Sequence, residues 1–125
     1  MNAQSVGNKH AVIYDRIASE RLELCAIVET WHDSADSTQL SACAPPGYRF
    51  IERARPRTVS ALQIMSTNHG DICLFYSSTI SAREVPLPKC RSGLEALAVY
   101  LHAARRTALV VVLYRPGSDA VNNFF

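Results

Sequence analysis

Two apolar runs in the second half of the chain constrain its fold more than any other feature. They are "LEALAVYLH", residues 94–102, and "TALVVVLY", residues 107–114, joined by "AARR". Runs of this length, rich in valine and leucine and separated by a few polar residues, read as a β-hairpin with its arginines in water at the tip. A hairpin alone does not fold stably in water.

The first half supplies an α-to-β unit. "NKHAVIYDRIASE", residues 8–20, reads as an amphipathic helix, with Asn8 as its N-cap and Ile13, Tyr14 and Ile17 as the apolar stripe. "LELCAIV", 22–28, is too short and too evenly apolar for a surface helix, and reads as a central strand buried on both faces. The strand expected to pair with it would lie upstream of Asn2. Residues 32–47 read as a polar loop with one helical turn around Ser37–Ala42, punctuated by Pro45, Pro46 and Gly47. "YRFIERARPR" begins as a short strand and runs into a basic turn, and "DICLFYSS", 71–78, is a strand. "TISAREVPLP" is edge-like, since Pro86 and Pro88 cannot donate to a ladder. "TVSALQIMSTN" fits a strand or a short helix, and Ser118 or Asp119 is placed to cap a helix beginning "AVNNFF". Together these elements predict an α/β (α+β) sandwich around a mixed, mostly antiparallel sheet, within a single domain. There are no internal repeats and no low-complexity segment.

Composition narrows the class. Hydrophobic residues make up 48% of the 125 and charged residues 19%, a globular balance. The net charge of +2 is compatible with nucleic acid but does not require it. No apolar run approaches the roughly 20 residues of a membrane helix, and "MNAQSVGNKH" has no secretory h-region. An intracellular protein is expected. Cys25, Cys43, Cys73 and Cys90 form no C-x-x-C pair and read as reduced thiols. His32, His69 and His102 match no zinc spacing.

One residue stands out chemically. Glu29 directly ends the apolar run "LELCAIV". A carboxylate there needs a metal ion, an arginine partner or plain water to meet it. The basic cluster Arg49, Arg53, Arg55 and Arg57 fits either a DNA backbone or a solvated strand edge, with Glu52 partly neutralising it.

Several pieces in order resemble one family. "NAQSVGNKHAVIYDRI", "LELCAIVETW", "PPGYRF", "RARPR", "DICLFYSST", "LEALAVYL" and "LVVVLYRPGS" are similar to the endonuclease/exonuclease/phosphatase superfamily. More narrowly, they resemble the apurinic-endonuclease-like domain of non-LTR (LINE-type) retrotransposons. The resemblance runs from Asn2 to Phe125 and implies a partial four-layer fold, two sheets faced by helices. It implies phosphodiester hydrolysis with Mg²⁺ (or Mn²⁺), in the retroelement version the nicking of target DNA, with the DNA phosphate backbone as partner. It also implies a nuclear location and a downstream reverse transcriptase domain in the full-length element. Asn2 and Tyr114 match the family's catalytic residues, and Glu29 its metal-binding glutamate. These types suit the chemistry: a hard cation held by a carboxylate neutralises phosphate and activates water, an amide orients, and a phenol steadies developing charge.

The chain also departs from the family pattern. The strand before Asn2 is lacking, and Gly70 is the only glycine where a glycine-rich turn is usual. The family's "GDFN"-type motif and closing aspartate–histidine pair, which supply the general base and its partner, do not occur. The expectation is an N-terminal part of such a domain, truncated at both ends, weakly active or inactive alone, with the apolar faces of 94–102 and 107–114 unpartnered. Two rival expectations are a non-catalytic nucleic-acid-binding remnant and another superfamily phosphatase or apurinic-site repair nuclease.

Overall fold

The computed structural model describes residues 1–31, 38–53, 71–88 and 94–115. The alternative readings of 58–70, the cap at 118–119, and Arg55, Arg57 and Cys90 lie outside them. In chain order the elements are α1 (His10–Ser19), β1 (Leu24–Val28), α2 (Thr38–Cys43), β2 (Tyr48–Arg53), β3 (Ile72–Ser77), β4 (Ser81–Val85), β5 (Glu95–Ala103) and β6 (Arg106–Tyr114).

The strands form two three-stranded antiparallel sheets, ordered β1-β3-β2 and β4-β5-β6. One parallel bridge, Asn2 to Val28, lies on the outer side of β1, so the sheet is mixed there as expected. Strand alternation divides β3 between two cores. Cys73 and Phe75 point toward the helices, packing with Ile13, Ile17, Ile27 and Leu40. Ile72, Leu74 and Tyr76 point the other way, onto Leu97, Val99 and Leu101 of β5. All of β3 from Ile72 to Tyr76 is therefore buried. The layers run helices, first sheet, second sheet: an α/β sandwich.

Two local expectations are corrected. Asn8 does not cap α1; the N-cap is Lys9, with no side-chain cap. A turn closed by the Lys9 amide on the Val6 carbonyl (3.1 Å) starts the helix instead. Likewise β1 is not buried on both faces throughout. Only Ile27 is fully buried, and Leu24 is 37% exposed. The strand has β3 on one side and only the short run Met1–Ala3 on the other.

The predicted hairpin is present, with Ala103 opposite Arg106 and a two-residue turn of Ala104 and Arg105. Its inward residues Val110, Val112 and Tyr114 pack on the inter-sheet core, so that face has a partner. Its outward residues Leu109, Val111 and Leu113 are exposed at 52%, 49% and 61%. No helix among the described residues is long and apolar enough to cross a membrane.

Candidate active site

The ends of β1 and β6 bring two of the expected residues together. Glu29 is the first residue past β1, and Tyr114 the last residue of β6, 85 positions later. The Tyr114 hydroxyl donates a hydrogen bond to Oε1 of Glu29. The contact crosses from the second sheet to the first. Both side chains are half-buried. The protein itself supplies Glu29 with a partner of another kind, the phenol of Tyr114.

Asn2 reaches the same end of the sheet through its backbone. It bridges Val28, and the next turn continues alongside: the Ser5 amide donates to the Glu29 carbonyl (2.8 Å) and the Val6 amide to that of Thr30 (3.0 Å). The Asn2 side chain is exposed, and its Oδ1 accepts the Gln4 amide at 3.2 Å. That bond fixes the local turn.

The backbone around Glu29 is unusual. Glu29 (φ 56°), Trp31 (φ 50°) and Asp71 (φ 73°) have left-handed conformations, as do Gln4 (φ 48°) and Ser5 (φ 84°) beside them. These are five of the seven non-glycine residues of that kind among the described residues. They are joined by hydrogen bonds: Ser5 to Glu29, and the Thr30 amide to the Asp71 carbonyl at 3.4 Å. Each such conformation costs about 1–3 kcal/mol and persists where the surroundings over-determine it, most often at functional sites. No glycine marks these positions, so nothing in the sequence announced them.

The same end of the sandwich is clamped twice. Buried Asp71 donates its amide to Oε2 of Glu95 at 2.7 Å. Arg53 reaches across from β2 to the Ala96 carbonyl (3.1 Å) and to Glu84 (3.5 Å). Arg53 is thus committed to holding the sheets together. Arg49, exposed like Arg53, borders an open depression of about 510 Å³ with Ser41, Ala44, Tyr48, Phe50 and Tyr76. Glu29 and Tyr114 are not part of that depression's lining.

The donor set decides which cation suits the site. Glu29 has one carboxylate oxygen, Oε1, taken by Tyr114. No three His, Cys, Asp or Glu side chains among the described residues converge on a metal position. The arrangement is one carboxylate with a phenol on one of its oxygens. It fits Mg²⁺, which keeps several waters and is held by one or two carboxylates together with substrate phosphates.

The thiols take no part. Cys43 and Cys73 are buried and Cys25 half-buried, and all three are free. Burial raises all three, Cys43 to about 11 and Cys73 well above the ordinary thiol range. They stay protonated and unreactive at neutral pH.

Helices thus lie on one sheet with a second sheet behind it, and the acid–phenol pair sits at the strand ends. Among solved structures, the catalytic domain of human Nocturnin, with a bound sulfate anion, superposes with a TM-score of 0.61 at 16% identity. The match covers 94% of this chain and 45% of that one, so the chain spans less than half of its neighbour's length. At that identity the likeness is one of fold. No family model and no curated protein matches the chain.

Proposed function

We propose that this chain carries the first part of the active site of a metal-dependent phosphodiesterase, and that the substrate is DNA nicked in the manner of the retroelement endonucleases its sequence resembles. The observation that carries this reading is the Tyr114–Glu29 contact, which joins two residues far apart in sequence at the ends of strands in different sheets. Folds of this type generally use divalent metals, and the sulfate on the Nocturnin domain is an anion of phosphate-like shape and charge.

A bound Mg²⁺ would neutralise phosphate charge and lower the pKa of a water. The residues of this chain do the rest. Glu29 would hold the cation by its carboxylate. Tyr114 holds the carboxylate in place before substrate arrives and, with a phosphate present, turns its single O–H from Glu29 to a phosphate oxygen as charge builds on it. Asn2 orients the phosphate with its side-chain amide. The left-handed conformations of Glu29 and Trp31 fix the backbone here before substrate arrives.

The general base and its histidine partner come from the family's "GDFN" and aspartate–histidine motifs, which these 125 residues do not contain. Each acid/base role is worth about 10²–10⁴-fold, so the chain alone nicks DNA poorly. A supercoiled-plasmid nicking assay with Mg²⁺ tests the reading. A longer translation product carrying those motifs should nick, and Glu29→Gln should abolish it; nicking that ignores Glu29 would refute the assignment. The reading as a non-catalytic nucleic-acid-binding remnant is weaker, because Arg53 of its basic cluster is occupied between the sheets.

A further inference from the structure

The contacts around Glu29 close into a ring. Glu29 is bonded along the chain to Thr30, whose amide donates to the Asp71 carbonyl at 3.4 Å. The Asp71 amide donates to Oε2 of Glu95 at 2.7 Å. Glu95 stands directly opposite Tyr114 in the β5–β6 register. Tyr114 then donates back to Glu29. Within this ring the Glu95 carboxylate ties the start of β3, in one sheet, to the strand pair that carries Tyr114, in the other.

We infer that Glu95 is a positioning residue: it sets the height of Tyr114 against Glu29 by anchoring the Asp71 amide. Directly opposed residues of an antiparallel pair have Cβ atoms about 4.5–5.5 Å apart, so whatever fixes Glu95 fixes Tyr114 as well. The Asp71 amide is a demanding anchor, because it belongs to a buried residue in a left-handed conformation (φ 73°) and a charged acceptor meets it at short range. The Arg53 clamp lands on the neighbouring Ala96 carbonyl, so β5 is gripped at two consecutive residues at the end where Tyr114 lies. Glu95 touches neither a phosphate nor the proposed cation. Its effect on catalysis would pass through the Tyr114–Glu29 contact and rests on the function proposed above; the positioning of that contact does not.

A double-mutant cycle on stability tests the inference without metal or DNA, so its failure is distinct from failure of the nuclease reading. In the wild-type chain, Tyr114→Phe should lower the folding equilibrium constant about 10-fold, as expected for loss of a hydrogen bond to a charged group. In a Glu95→Gln background, where an amide oxygen still accepts from Asp71, the Tyr114→Phe effect should stay about 10-fold. In Glu95→Ala it should shrink to less than about 3-fold, because the contact is already lost. If Glu95→Ala does not fold, Glu95→Asp, whose acceptor is withdrawn by one methylene, takes its place with the same expectation. Equal Tyr114→Phe effects in the wild-type and Glu95→Ala (or Glu95→Asp) backgrounds would overturn the proposal and leave Glu95 a strut with no hold on the site.

Discussion

Replacing Arg53 by alanine separates the two roles open to a basic residue on β2. The side chain donates to the Ala96 carbonyl at 3.1 Å and pairs with Glu84 at 3.5 Å. A hydrogen bond from a charged donor contributes about 1.5–3 kcal/mol, and the half-exposed position of Arg53 places this one near the lower figure. The ion pair, with side chains 42% and 40% exposed, adds under about 1 kcal/mol. The sum predicts a loss of about 2 kcal/mol in Arg53→Ala. Urea titration followed by circular dichroism should show a lower midpoint with an unchanged slope. Arg49→Ala, at an exposed position beside the open depression, should stay within about 0.5 kcal/mol. Glu84→Ala should lose only the smaller ion-pair share. Were Arg53→Ala to leave stability unchanged while weakening DNA binding and its salt dependence, the assignment of this arginine to the sheet interface would be wrong.

Two further predictions concern the backbone and the thiols. Ala104 holds a left-handed conformation (φ 52°) in the hairpin turn, so Ala104→Gly should stabilise the chain by about 1 kcal/mol, read as a raised thermal midpoint. Burial raises Cys43 from 9.0 to about 11, so the folded state keeps its proton where the unfolded chain has lost it; stability from this residue is full below pH 9 and falls between pH 9 and about 11. Cys43→Ser should flatten that part of a stability–pH curve, and an unchanged slope would exclude Cys43 as its source.

Much of the architecture is legible in the residues, for local reasons. The hairpin of β5 and β6, strand β3 and helix α1 are long apolar or periodic segments, and such segments declare themselves. Short α2 shows in the turn around Ser37–Ala42. The start of α1 is less legible: Asn8 is a good capping residue, yet the turn from Val6 to Lys9 sets the boundary through the backbone. The even apolarity of "LELCAIV" suggested burial on both faces, but burial depends on neighbours that sequence does not display, and Leu24 finds none.

The candidate site is legible only in part. Glu29 and Tyr114 follow from the family resemblance, and their meeting across the sheets is a matter of tertiary structure. Glu95 lies inside an apolar strand, and its role depends on an amide 24 residues away. Arg53 looks like its basic neighbours, since the alternation that turns it toward the second sheet emerges only once β2 is paired with β3. The left-handed turns at Glu29, Trp31 and Asp71 carry no glycine to reveal them.

Manganese binding to the isolated chain, followed by electron paramagnetic resonance, tests the central claim most directly. The account predicts that the wild-type chain binds Mn²⁺ in competition with Mg²⁺, and that Glu29→Gln weakens binding by at least about tenfold while the fold is retained. Absence of binding, or binding indifferent to Glu29, would contradict it.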